Sequence, residues 1–225
     1  MQRRPRIFHV SADFPDSIAS DKTRAIQSLV DLAATEFDQD VWSLNRRSPD
    51  VSALLSGMIG WPPRPRLQVA TAPFPQGRAV TYRAPPKGLF HATMLRQLGD
   101  WLAQECARAP QPDVIVGHKL AVEGIAVRRA AEHLGIPYAV SIQGDTDTKI
   151  LDARPDLARE LANVFHGAAV VFPFAPWALD KVEQKLGKRA GPTIILPCAT
   201  DIDEPVPPQT GNGELVSVFH LKNHR

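Results

Sequence analysis

The sequence predicts an α/β fold, a doubly wound and mostly parallel sheet with helices on both faces. Three observations carry that prediction. Short apolar runs alternate along the chain with longer stretches whose apolar residues recur at spacings of three and four, the pattern of strands followed by crossover helices. The 21 prolines and 14 glycines gather between these runs, where turns and element ends belong. Hydrophobic residues make up 44 % of the 225 and charged residues 22 %, a composition able to bury a core and unlike that of a disordered chain.

The elements follow in order. Residues 6–10 form the first strand, and the polar loop 11–21 leads into a helix over 22–37, where Ile26, Leu29, Val30 and Ala33 share one face. Residues 40–44 are the second strand. Prolines at 62, 63, 65, 73 and 75 then interrupt the pattern, leaving short strands at 67–70 and 79–83. A long amphipathic helix over 88–109 carries a stripe of Phe90, Met94, Leu98, Trp101 and Leu102 and stops at Pro110 and Pro112. Beyond it, strands at 114–116, 138–142, 168–172 and 193–196 alternate with helices at 121–134, 157–166 and 176–186. Gly135, Gly167 and Gly187 stand where these helices should close. Residues 143–156 read as a polar loop.

This organisation predicts a main domain over 1–196, a Pro- and Gly-rich linker over 197–213, and over 214–225 the first strand of a truncated second domain. The competing reading is a last strand that folds back onto the main sheet. No apolar segment has the length of a signal or a membrane span, so a cytoplasmic protein is expected. A formal charge of +2 gives no electrostatic case for nucleic acid, and two cysteines make no disulfide framework. The glycine-rich dinucleotide fingerprint, the phosphate-binding loop and the strained nucleophile elbow of hydrolases are all missing from the sequence, and its histidines and cysteines show no metal-ligand spacing.

In an open parallel sheet, ligands bind beyond the carboxyl ends of the strands, where the strand order reverses. The residues following three strands are therefore the candidate binding residues: Ser11 and Asp13 after the first, Gly117, His118 and Lys119 after 114–116, and Gln143, Gly144 and Asp145 after 138–142. His118 is the candidate catalytic residue, because an imidazole between a strand end and a helix start can exchange a proton or hydrogen-bond a hydroxyl near neutral pH. A strand-end histidine satisfied by the backbone is the plainer alternative. Gly144 suits close backbone approach to a ligand, and Asp145 suits accepting hydrogen bonds from hydroxyls or capping its own loop. Lys22 and Arg24 could meet an anionic group at the start of the first helix.

Several of these segments, taken together, resemble one known family. Pro112-Asp113-Val114-Ile115-Val116-Gly117-His118 resembles a strand ending in histidine just before a helix. Gly135-Ile136-Pro137, continuing through Tyr138 to Gln143-Gly144-Asp145, resembles a Gly-Ile-Pro strand followed by a glycine and an aspartate. Ala168-Ala169-Val170-Val171 with the helix after it, and Ile194-Ile195-Leu196-Pro197 with Asp201, resemble the last strand and the inter-domain hinge. These are segments of the N-terminal, Rossmann-like domain of group 1 retaining glycosyltransferases, one half of a GT-B architecture. The chain departs from that pattern in lacking the glycine-rich loop after the first strand. Gln143 also replaces a histidine, Phe174 a serine, and Cys198-Ala199 the hinge Asn-Gly.

The resemblance implies an acceptor-side domain of an enzyme that moves a sugar from a nucleotide-sugar donor to a hydroxyl of a glycan or glycolipid. It implies retention of configuration, no metal and no cofactor beyond the nucleotide-sugar co-substrate. His118 would lie near the transferring sugar, with Ser11, Asp13, Gly117, Lys119, Gln143, Gly144 and Asp145 lining one shared rim. The fragment alone is expected to be inactive, and peripheral contact with the inner face of a membrane is a further expectation. A nucleotide-sugar epimerase and a non-catalytic carbohydrate- or partner-binding domain are the alternatives.

Overall fold

The structure, a computed structural model, describes residues 3–48 and 66–199. Seven strands form one sheet: β1 (Arg6–Ser11), β2 (Asp38–Arg47), β3 (Val69–Phe74), β4 (Gly77–Arg83), β5 (Val114–Gly117), β6 (Tyr138–Ile142) and β7 (Val170–Pro173). Six α-helices accompany it: α1 (Ala25–Leu32), α2 (His91–Cys106), α3 (Gly124–Leu134), α4 (Asp145–Ala153), α5 (Ala158–Gly167) and α6 (Pro176–Leu186). The strand order is β3-β4-β2-β1-β5-β6-β7, with every neighbouring pair parallel except the β3–β4 hairpin. The winding reverses between β1 and β5, so the switch point of a doubly wound sheet lies at their carboxyl ends.

Alternation along the strands assigns the two faces. Phe8, Val10, Trp42, Leu44, Ile115, Val140 and Val171 enter one large core with α2, α3, α5 and α6, whereas Val41 joins Phe14 and the α1 residues Ile26 and Val30 on the opposite face. Met94, Leu98 and Leu102 are wholly inside the large core, and Trp101 packs on it with its ring 5.4 Å from that of Trp42. The α2 stripe is therefore core, and only its first member, Phe90, stands half exposed. Gly99 lets α2 and α3 cross closely, since a Cβ there would sit 2.6 Å from the Ala126 carbonyl oxygen.

The elements depart from expectation at four places. The helix expected over 22–37 forms only as α1, since the chain turns out of it after Leu32, where the Ala34 N–H donates to the Asp31 carbonyl. The two short strands around the prolines pair as a hairpin closed at Gly77. Residues 145–153, expected as loop, form α4. Residues 193–196 make no strand: Thr193 forms a single bridge to Val171, and Ile194 and Leu196 donate to Val171 and Pro173. Nearly all of the linker expected over 197–213, and the whole strand expected at 214–225, lie outside the described residues. No helix among the described residues is long and apolar enough to cross a membrane.

Candidate functional site

The loops after β1, β5 and β6 meet at the switch point, and two buried carboxylates hold them together. Glu123, at the N-terminus of α3, reaches the β1 loop, where its Oε1 accepts from the Ala12 N–H at 2.6 Å. Asp147, in the first turn of α4, ties the other two loops. Its Oδ1 accepts from the Ala121 N–H at 2.7 Å and its Oδ2 from the Gln143 N–H at 3.1 Å. Both side chains are fully enclosed. Above them Lys119 pairs with Asp13 at 2.5 Å, both partly shielded. Neither Glu123 nor Asp147 stands out in the sequence, where a carboxylate in a polar segment reads as solvated. The available signal was Asp147 at the third position of a helix, where a carboxylate reaches back to preceding N–H groups.

The two carboxyls titrate differently because their partners differ. Burial raises the Glu123 carboxyl from 4.5 to about 8, and the single N–H it accepts does not offset that. Burial also raises Asp147, but two backbone N–H bonds limit the rise from 3.8 to about 6, so it stays mostly ionised at neutral pH. Between roughly pH 4.5 and 8 the native state then holds a proton on Glu123 that the unfolded chain has released. Stability contributed by this group therefore falls as pH rises through that window. Glu123→Gln, which copies the protonated carboxyl, is expected to leave stability near pH 5 within about 1 kcal/mol and to be the more stable form at pH 9 by a few kcal/mol. Urea unfolding of both proteins across this range checks it. The difference isolates Glu123, since buried His9, pushed down to about 4 chiefly by desolvation, gives the opposite slope in both proteins.

Among the sequence-predicted residues, Ser11 and Gly117 are buried strand ends, and the Ser11 Oγ accepts from the Asp13 N–H at 3.1 Å. Gly144 precedes α4 at φ 63° and ψ −145°, a conformation open to glycine and strained for other residues. Gln143 lines a shallow groove between α1 and the ends of β6 and β7, with Ser141, Phe172 and Phe174. Asp145 is exposed and lies 3.5 Å from the Lys149 Nζ and 3.8 Å from the Lys181 Nζ.

His118 is not on this rim. Its side chain is 1 % exposed and turned under the switch point. There its Nε2 lies 3.0 Å from the His9 Nδ1, and the two rings stack 5.2 Å apart at 19°. Its Nδ1 is buried without a hydrogen-bond partner among the described residues. Desolvation, with some help from His9, keeps its pKa well below the ordinary value, so the ring is neutral. The expectation that His118 and Asp145 share one open mouth is thus corrected, because one is inside the protein and the other outside it. The reason lies in the strand pairing: the His118 N–H donates to the Val10 carbonyl at 3.2 Å, extending the β1–β5 pairing by one residue and aiming the ring inward.

Lys22 is also not free to meet an anion. Its Nζ donates to Asp16 Oδ2 at 2.9 Å, Ser43 Oγ at 2.7 Å and the Leu44 carbonyl at 3.2 Å. Asp16 further accepts from Asn45 Nδ2 and from the Ile18 and Ala19 N–H groups. Although burial pushes its pKa up, hydrogen bonds from Ser43, Asn45, Lys22 and the backbone prevail and hold the carboxyl below the usual range. This network shapes the β1 loop with no glycine in it. Among the described residues no three His, Cys, Asp or Glu side chains gather in a way that could hold a metal ion.

Residues 27–199 match the family described as glycosyl transferase 4-like domain. No curated protein matches the chain. Solved structures similar to it include OtsA in its apo form, at 11 % identity and TM-score 0.49, covering 86 % of this chain and 49 % of that one. Another is UGT89C1 of Arabidopsis thaliana complexed with UDP, at 14 % identity and TM-score 0.47, covering 87 % and 53 %. A third is an alpha,alpha-trehalose-phosphate synthase (UDP-forming) of Burkholderia xenovorans, at 13 % identity and TM-score 0.46, covering 79 % and 42 %. The chain spans about half the length of the solved structures it matches. Over most of its length, then, this chain belongs to the glycosyl transferase 4-like domain family.

Proposed function

We propose that this chain is the acceptor-side half of a nucleotide-sugar glycosyltransferase, moving a sugar with retention to a hydroxyl of a carbohydrate or lipid-linked acceptor. The observation that carries the reading is the family match together with the place of the built site. Three loops are pinned at the switch point by Glu123 and Asp147, around a shielded Asp13–Lys119 pair. A parallel sheet binds its ligand at that point. In this reading the donor is held mostly by a second half, and neither a metal nor a cofactor takes part beyond the co-substrate. The rim supplied here by Asp13, Lys119, Gln143, Gly144 and Asp145 orients the acceptor hydroxyl. His118 beneath it stabilises charge on the transferring sugar. A cytoplasmic setting with peripheral membrane contact belongs to the same proposal. The epimerase alternative finds no support in the family match.

A second reading is a carbohydrate-binding domain in which His118 is structural, and the complete burial of that imidazole favours it. The test of the proposal is product analysis with labelled nucleotide sugars. The enzyme carrying both halves is expected to transfer label to an added hydroxyl acceptor, and residues 1–225 alone are expected to turn over none. Release of an epimerised nucleotide sugar, or turnover by the 225 residues alone, overturns it.

A further inference from the structure

His118 is the buried end of a chain of hydrogen bonds whose direction is set from its far, partly buried end. α1 stops at Leu32, and the Ala34 N–H that would reach the Val30 carbonyl donates instead to Asp31 at 3.3 Å. The freed Val30 carbonyl accepts from the Gln39 Nε2 at 2.8 Å. A carbonyl cannot donate, so the Gln39 amide has one orientation, with its Oε1 facing the His9 Nε2 at 3.0 Å. The His9 Nε2 must then carry the proton. His9 is buried and neutral, which leaves a lone pair on its Nδ1. Only the His118 Nε2 can supply the hydrogen for the 3.0 Å contact between the two rings. One proton remains for each neutral ring, so the His118 Nδ1 has only a lone pair, enclosed and without a partner among the described residues.

We propose that Gln39 and His9 are positioning residues that lock His118 in the Nε2-protonated tautomer and present its Nδ1 as a hydrogen-bond acceptor. The group it takes is therefore an O–H donor, a sugar hydroxyl, and not a phosphate oxygen, which also only accepts. The hydroxyl's identity rests on the glycosyl-transfer reading, and the tautomer lock does not. Nδ1 is shielded in this structure, so a ligand reaches it by displacing the groups that cover it.

Long-range proton–nitrogen correlation spectra of the full 225-residue chain, labelled with 15N-histidine, test the lock at pH 7. Both His9 and His118 are expected with protonated Nε2 and lone-pair Nδ1. A proton on the His118 Nδ1 of the wild-type protein overturns the proposal whatever any variant does. Gln39→Leu removes the acceptor that starts the chain and is expected to give His118 a mixture of tautomers. Gln39→Glu, which still accepts from His9, is expected to restore the single form. An unmixed His118 in a folded Gln39→Leu protein would show that the chain does not set it. In the enzyme carrying both halves, Gln39→Leu is expected to lower kcat about tenfold, the worth of one hydrogen bond, with KM little changed. Mixed tautomers with unchanged kcat would remove the hydroxyl contact and leave the lock standing.

Discussion

Asp147→Ala is expected to lower the unfolding free energy by about 3–4 kcal/mol, one of the two largest effects foreseen for this protein. The carboxylate accepts from two backbone N–H groups, of Ala121 and Gln143, in a place that water does not reach. Removing it leaves both donors unpaired, and each unpaired buried donor costs about 1–3 kcal/mol, part of it offset because a buried charge is also removed. In a domain of this size the melting temperature should fall by about 10 °C. Asp147→Asn separates charge from shape. One amide oxygen still accepts, but the NH2 then faces a backbone N–H, so this variant should lose about half as much. Glu123 provides the contrast, because its Oε2 has no partner among the described residues and Glu123→Gln puts nothing in conflict. Urea denaturation gives the order, with Asp147→Ala least stable and Asp147→Asn intermediate. Faster amide exchange at Ala121 and Gln143 should accompany it. An Asp147→Asn protein as stable as wild type would mean that the native carboxyl does not serve two N–H donors.

The same residues explain how far the sequence could be read. Strands β1, β5 and β6 were legible as short, largely apolar runs bounded by turn residues, as in Val114-Ile115-Val116, and helices α3 and α6 by apolar residues at helical spacing, as in Ala178, Val182 and Leu186. α4 was not. Its buried residues are Asp147, Thr148 and Leu151, so the face turned inward is polar and hydrophobic periodicity cannot find it. Asp147 points inward because it accepts from backbone N–H groups of neighbouring loops, which only tertiary structure brings near, whereas Thr148 donates to the Asp145 carbonyl of its own helix. Residues 193–196 failed in the opposite direction: the run is apolar and β-branched, yet Ile194 and Ile195 are 55 % and 41 % exposed beside β7. The segment runs beside β7 with a single bridge at Thr193, and propensity did not extend that into a strand. The loops after β1, β5 and β6 do come together at the switch point, as the strand pattern implied. The direction of a side chain was not legible, since nothing local in Gly117-His118-Lys119 tells an imidazole to turn toward His9. His9 itself gave no sign, because its partner His118 is 109 positions away.

His118→Gln and His118→Asn divide the structural role of the buried imidazole from a chemical one. A glutamine amide reaches the position of Nε2 and can donate to the His9 Nδ1, but it leaves nothing where His118 Nδ1 stood. An asparagine oxygen occupies the Nδ1 position and gives up the bond to His9. If His118 acts only through packing, the Gln variant keeps both stability and activity, and the Asn variant loses stability by about 1–3 kcal/mol for the stranded His9 acceptor and the unfilled volume. If Nδ1 serves the sugar, the order of activities reverses. His118→Gln should then melt within a few degrees of wild type while kcat of the enzyme carrying both halves drops about 10²-fold or more, the usual worth of a preorganised polar group. His118→Asn should unfold earlier yet keep more activity at a temperature where it is folded. Thermal melts beside kcat and KM for the two variants decide between the roles, and a Gln variant within a factor of two of wild-type kcat assigns His118 to structure alone.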